Sequence, residues 1–147
     1  MARTKKNLPA VRSDEPAREE FPHDWSDICG HTGIIRRLRV LVAAQRLPHA
    51  LIFCGMEGIG KRRTARVLAR TLLCTGGGDA PCGHCASCRT MAAGVHPDYF
   101  ETAPEARGKS AAMIRTEAVR DILVAASGTP VQSRRRIILI DGADCMN

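Results

Sequence analysis

At 147 residues, 44% apolar and 25% charged, the chain has the size and composition of one soluble globular domain. No stretch is apolar for long enough to span a membrane, and Met1–Ala10 is basic without an apolar run, so no secretory leader is read and a cytoplasmic location is expected. Aromatics make up only 3%, which puts the core on Leu, Ile, Val and Ala; the net charge of +7 leaves nucleic-acid contact open beside the plainer reading of a solvated basic surface.

Residues 1–20 are polar, of mixed charge and without apolar periodicity, and read as a disordered tail; residues 21–147 read as one α/β domain. Trp25, the single tryptophan, is expected to be a packing anchor. Gly33–Gln45 reads as a helix with Ile34, Leu38, Leu41 and Val42 inward and Arg36, Arg37 and Arg39 outward. His49–Cys54 is short, apolar and bounded by Pro48, the pattern of a buried strand. Arg62–Cys74 reads as a helix with Ala65, Leu68, Ala69 and Leu72 on one face. Tyr99–Glu101 suggests a second short strand, and Ala103–Ala112 is loop-like. Thr116 is placed as the N-cap of a helix around Ile122 and Leu123 that runs to Ser127. Arg136–Asp141 reads as a last strand, apolar enough to be buried on both faces. Strands alternating with helices imply a parallel sheet with right-handed crossovers. The chain stops within a few residues of that last strand, so the sheet is expected to be incomplete and the domain truncated.

Between the first expected strand and the helix after it lies Gly55-Met56-Glu57-Gly58-Ile59-Gly60-Lys61-Arg62, close to the phosphate-loop pattern Gly-x-x-x-x-Gly-Lys-Ser/Thr. Strand, glycine loop and helix are the context the pattern needs. Loop amides and the positive helix end cradle phosphates there, and Lys61 would reach the outer ones. The last position is Arg62, which has no hydroxyl to offer magnesium. Thr64 cannot substitute, because two helical residues turn the side chain by about 200°. Asp141 ends the last strand, where ligands bind in open α/β sheets and where an acid would hold magnesium through water. Gly142 follows it, where hydrolysing ATPases carry a second acid. The nucleotide-binding set is therefore Gly55, Gly58, Gly60, Lys61, Arg62 and Asp141 in degenerate form, with no catalytic residue and with ATP and magnesium binding left open. A glycine turn without any ligand is the plainer alternative.

Downstream of this loop stand Cys74, Cys82, Cys85 and Cys88. Cysteines at three-residue intervals on a turn can face one centre, and Cys74 closes a tetrahedron from the end of the preceding helix, as structural zinc requires. Gly83 eases the turn between Cys82 and Cys85. A disulfide or free thiols are the alternative, and a reducing compartment favours metal. His84 and His96 are possible substitute ligands, with His84 expected to face solvent. Cys29, Cys54 and Cys145 lack such neighbours and are expected to be small buried apolar residues.

Taken together, Arg46–Phe53, Gly58–Arg62, Pro81–Cys88, His96-Pro97-Asp98 and Ile137–Asn147 resemble the amino-terminal part of the delta-prime family of bacterial DNA polymerase III clamp-loader subunits, within the AAA+ class, over most of the chain from Trp25 onward. The resemblance implies a P-loop-type parallel sheet flanked by helices, with a four-cysteine zinc module at 74–88 inserted in it. It implies a stationary, non-hydrolysing subunit of the DNA polymerase III holoenzyme that docks on gamma/tau and delta subunits, and through the assembly on the sliding clamp and primed DNA. It also puts Ile28, Gly30 and His31 near an adenine pocket, although packing explains Ile28 equally well. The gamma/tau family shares the cysteine knot, but would show Lys-Thr in the loop and Asp-Glu after the last strand; here stand Lys61-Arg62 and Asp141-Gly142. Delta-prime chains often carry a second acid where Gly142 sits, a departure that leaves the role of that position open. Outside the family, a kinase-like enzyme is disfavoured by Arg62 and Gly142. A zinc-dependent nucleic-acid binder is disfavoured because the cysteines form one knot inside an α/β domain.

Overall fold

The computed structural model describes residues 21–104 and 113–145. The expected tail at 1–20 and most of the loop-like stretch 103–112 lie outside the described residues. The described elements are helices α1 (Thr32–Ala43), α2 (Lys61–Leu73), α3 (Ala86–Ala92) and α4 (Thr116–Ser127), with strands β1 (Tyr99–Thr102) and β2 (Ile137–Ile140). The strands pair in parallel, Tyr99 opposite Ile137 and Thr102 opposite Ile140, and α4 lies in the connection between them. This is an α/β arrangement with a small parallel sheet and flanking helices, and none of the described helices is long and apolar enough to cross a membrane.

Helix α2 is the centre of the fold because two faces of it are covered. Val67 and Leu68 join Trp25, Ile28 and Leu38 in one apolar cluster, flanked by Ile35, Val42, Leu47, Phe53 and Leu72. Ala69 and Leu73 join Met91 of α3 in a second, against Phe21, Tyr99 and Ile137. Trp25 is the anchor its singularity suggested, and its indole N–H donates to the Asp79 carbonyl at 2.9 Å. Ile28 is buried in the same cluster, so packing accounts for it.

Several local expectations are corrected. On α1, Ile35 rather than Ile34 packs inward with Leu38 and Val42; Ile34 is 54% exposed. The helix meets the core over a narrow stripe, and Ile34 falls on its margin. Thr116 is the first residue of α4 rather than its cap; Arg115 precedes the helix in extended conformation and makes no side-chain cap. No residue of α4 is buried, and Leu123 is 64% exposed. The expected strand at 49–54 is not one: the backbone has no sheet partner among the described residues, and Ile52 is 89% exposed while Phe53 alone reaches the core. An apolar run forms a strand only when another strand completes its hydrogen bonds. For the same reason β2 is not buried on both faces; Leu139 is buried and Ile140 is exposed.

Because Leu38 is the only buried residue of α1, it carries that helix's attachment. Leu38→Ala is expected to destabilise the protein by about 2 kcal/mol, at the low end for such a truncation because half-exposed neighbours can settle into the gap. Chemical denaturation should show a lower midpoint at unchanged slope.

Candidate metal centre and phosphate loop

The cysteine cluster is assembled by the ends of two helices. Cys74 caps the carboxyl end of α2, Cys85 caps the amino end of α3, and Cys88 lies one turn into α3. Cys82 reaches the group from the intervening turn, where Gly83 takes a φ of +78° that a side chain would disfavour. Gly76 is required for a different reason: a Cβ there would stand 3.0 Å from the Cys82 sulfur.

All four sulfurs lie within 4.8 Å of one another, with Cys74 to Cys85 at 3.9 Å and Cys82 to Cys88 at 4.0 Å. Four thiolates around zinc at a bond length of about 2.3 Å stand about 3.8 Å apart, so the donor set fits a tetrahedral ion in kind and in spacing. Backbone amides point at the sulfurs: Cys82 N–H at Cys74, Cys85 N–H at Cys82 and Cys88 N–H at Cys85, at 3.3–3.4 Å. Such donors stabilise negative sulfur. Burial opposes ionisation of Cys85, but hydrogen bonds from Thr75 and from the Cys88 amide bring it down to about 5. Burial pushes Cys88 up to about 12. Four sulfurs this close cannot all ionise without a cation among them.

Neither histidine belongs to the cluster. His84 is exposed, with Nδ1 2.8 Å from the Cys82 carbonyl. His96 is buried beside Ser87 and Asp98. The Asp98 amide donates to His96 Nδ1 at 3.0 Å, which leaves Nε2 to carry the proton toward Ser87 Oγ at 2.7 Å. Ser87 in turn donates to the Leu73 carbonyl at 2.6 Å, and Ser133 to the same carbonyl at 2.8 Å. Burial lowers the pKa of His96, in keeping with a neutral ring. The array looks like a nucleophile and base, but the hydroxyl is committed to a carbonyl and sealed from solvent, so it serves to tie the cysteine module to the sheet. Cys29 and Cys54 are exposed and Cys145 is half-buried, which corrects the expectation that these three are buried. Cys54 is open, and among the described residues its segment has no strand beside it.

The glycine loop precedes α2 as the sequence suggested. Gly60 caps the helix at a φ of +94°, a value that favours glycine, and Lys61 Nζ donates to the carbonyls of Gly55 and Met56 at 2.8 Å. Gly58 turns the loop at a φ of +74°. His31 Nε2 lies 3.0 Å from the Ile59 carbonyl, so Gly30-His31 does flank the loop. Thr64 is buried with its hydroxyl on the Gly60 carbonyl at 2.9 Å, unable to serve a ligand.

Arg62 reaches across to the strands. Its Nε is 2.6 Å from Glu101 Oε1 and 3.6 Å from Asp141 Oδ2. Glu101 also takes Arg66 at 3.0 Å and the Tyr99 hydroxyl at 2.7 Å. Burial alone would raise the pKa of Glu101, but Arg66, Tyr99 and Arg62 hold it below the usual range. Glu101 was not singled out from sequence as a site residue; its one signal was an acid inside a short apolar strand. Asp141 stands at the end of β2 and its amide donates to the Thr102 carbonyl at 2.9 Å. Gly142 has a φ of +63°, and a Cβ there would sit 2.7 Å from Pro104 Cγ. The basic residues of α2 are turned inward as well: Arg63 bonds the Asp27 carbonyl and Arg70 the Pro22 carbonyl, both at 3.1 Å. That weakens the case for this helix as a nucleic-acid surface.

Residues 30–147 match the family described as DNA polymerase III, delta subunit. The chain is similar to DNA polymerase III subunit delta' of Pseudomonas aeruginosa, at 40% identity over 100 residues, 67% of this chain and 30% of that protein. It is also similar to DNA polymerase III subunit tau of Escherichia coli, at 33% over 126 residues, 85% of this chain and 19% of that protein. With subunit gamma/tau of Mycobacterium tuberculosis the identity is 34% over 127 residues, 86% of this chain and 21% of that protein. The chain thus spans less than a third of the length of each of these relatives.

Proposed function

The chain belongs to the family described as DNA polymerase III, delta subunit, and from that premise we propose that it is the nucleotide-loop part of a delta-prime-type, non-hydrolysing clamp-loader subunit. In this reading the intact protein helps place the sliding clamp on primed DNA by docking on gamma/tau and delta subunits, not by chemistry of its own. The observation that carries the proposal is the pairing of Arg62 with Glu101 and Asp141, where a hydrolysing site needs a hydroxyl, a free acid and a divalent cation. Gly142, pressed against Pro104, supports the same reading, because no water-orienting acid stands there.

A structural zinc ion held by Cys74, Cys82, Cys85 and Cys88 completes the proposal. Zinc would supply a cross-link between the ends of α2 and α3 and take no part in any reaction. The Ser87–His96–Asp98 contacts then pass that rigidity on to β1 and the turn before β2.

Similarity to relatives named tau and gamma/tau keeps an ATP-hydrolysing subunit as the second reading. The two separate in one experiment. The intact protein is expected to co-elute from a sizing column with gamma/tau and delta subunits, and alone to show no ATP turnover above a Lys61→Ala control. Turnover that the Lys61 change abolishes would support the gamma/tau reading. Failure to co-elute combined with tight binding of primed DNA would support the nucleic-acid binder.

A further inference from the structure

Magnesium is the companion of nucleotide in phosphate loops that end in Lys-Ser/Thr, and the residues present here do not fit it. We propose that the Arg62 guanidinium is a built-in replacement for that cation, and that it closes the site between the glycine loop and the ends of β1 and β2 to divalent metal. The inference rests on the reading of residues 55–61 as a phosphate loop, and it concerns how this site is selective.

Arg62 is the second residue of α2, at the position where the loop pattern places a metal-binding hydroxyl. Long side chains in a helix lean toward its amino end, and from the first turn of α2 the Arg62 side chain reaches the strands. From there it spans two carboxylates, Glu101 on β1 at 2.6 Å and Asp141 just after β2 at 3.6 Å. Asp141 is the strand-end acid that would otherwise hold a hydrated cation. A metal entering this space would lose the charge of Asp141 to Arg62 and meet a like charge. Glu101 offers no alternative, because its oxygens already take Arg62, two contacts from Arg66, and the Tyr99 hydroxyl. Lys61 turns to the loop carbonyls, so it does not compete for either acid. The protein therefore carries one fixed positive charge where a metal-using relative would take up a mobile one. Closing the site to metal is thus a consequence of an arginine in this one position, given these two acids.

The test uses manganese alone as a paramagnetic probe of the intact, isotope-labelled protein. In the wild type, manganese is expected to leave the amide signals of Gly60, Arg62 and Asp141 no more broadened than the rest of the surface. Arg62→Thr, which returns a hydroxyl and frees Asp141, should gain localised broadening at these amides and tighten manganese binding by about tenfold or more. Arg62→Thr combined with Asp141→Asn should lose that gain, whereas Arg62→Lys, which keeps the cation, should resemble the wild type. Localised broadening at Asp141 in the wild type would overturn the proposal without need of any variant. So would a folded Arg62→Thr protein with no gain. Should that variant fail to fold, Arg62→Gln, which keeps length and removes charge, is read in the same way. Co-elution with clamp-loader subunits tests the underlying reading separately, since it does not depend on whether metal enters this site.

Discussion

Stripping the protein with a strong zinc chelator is expected to release about one zinc per chain and to lower the thermal midpoint by on the order of 10 °C or more. The reason is that the metal would join the end of α2 to the start of α3, and α3 has little of its own to keep it folded. Helix α3 is seven residues long, below the length that persists alone, and buries only Ser87, Cys88 and Met91. Structural zinc contributes about 10–16 kcal/mol of apparent binding energy in small modules, comparable with the whole stability of a domain. Cys85→Ser should reproduce most of the loss, since only three thiolates remain even though a serine at this position can still cap α3. Zinc binding should also weaken as the pH falls, because the metal must displace protons from thiols, one of which, Cys88, is held up at about 12 in the absence of a cation. A protein free of zinc by elemental analysis and indifferent to chelator would return the cluster to the disulfide or free-thiol reading.

Replacing Asp98 by Ala is expected to cost about 3–5 kcal/mol. Asp98 is fully buried, and its carboxylate accepts the amides of Val131, Gln132 and Ser133 at 2.7–2.8 Å. Those three donors lie 33–35 residues away and would be left without an acceptor. Arg136 would lose a charged neighbour at 3.9 Å. Asp98→Asn keeps the shape but presents an NH₂ to amide donors, so it should lie between the variant and the wild type. Burial by itself would raise the Asp98 pKa, but the amides of Val131, Ser133 and Gln132 hold it below the usual carboxylate range. The folded value is thus lower than the unfolded one, near 4. Its contribution to stability is complete above about pH 4 and is lost as the pH falls further, toward the folded value. Acid titration of the wild type against Asp98→Asn should show the two curves converging below that point. Parallel curves down to strong acid would show that the carboxylate charge contributes nothing.

What could be read from the sequence divides by the distance over which the determining contact acts. The cysteine cluster was legible because spacing of three and the end of one helix fix four sulfurs almost locally. Helix α2 and the glycine loop were legible because a positive-φ glycine at position 60 and a lysine at 61 carry their geometry with them. Glu101 was not legible as a site residue. Its partners Arg62 and Arg66 sit 35–39 residues earlier, and nothing in Tyr99-Phe100-Glu101 shows which face meets α2. The 49–54 segment failed in the opposite sense: its composition suits a strand, but strand formation depends on a neighbour that composition does not report. Ile34 and Ile35 differ by one step around a helix whose contact stripe is one residue wide. Thr116 was assigned as the cap by residue preference, whereas Thr116 is already the first helical residue and the extended Arg115 precedes it.

The turn after β2 bears on anyone who would place a second acid beside Asp141. At Gly142 the backbone is left-handed and Pro104 fills the volume into which a side chain would project. Installing a carboxylate there is therefore not one step. The acid would arrive strained, collide with the proline ring, and find Arg62 already paired with the neighbouring acid. The costly change is the acid added first, which would arrive without room. The order of substitution matters more than their number. A route that first opens the contact at 104, then changes 62, and only then adds the acid is the one that avoids a poorly folded intermediate.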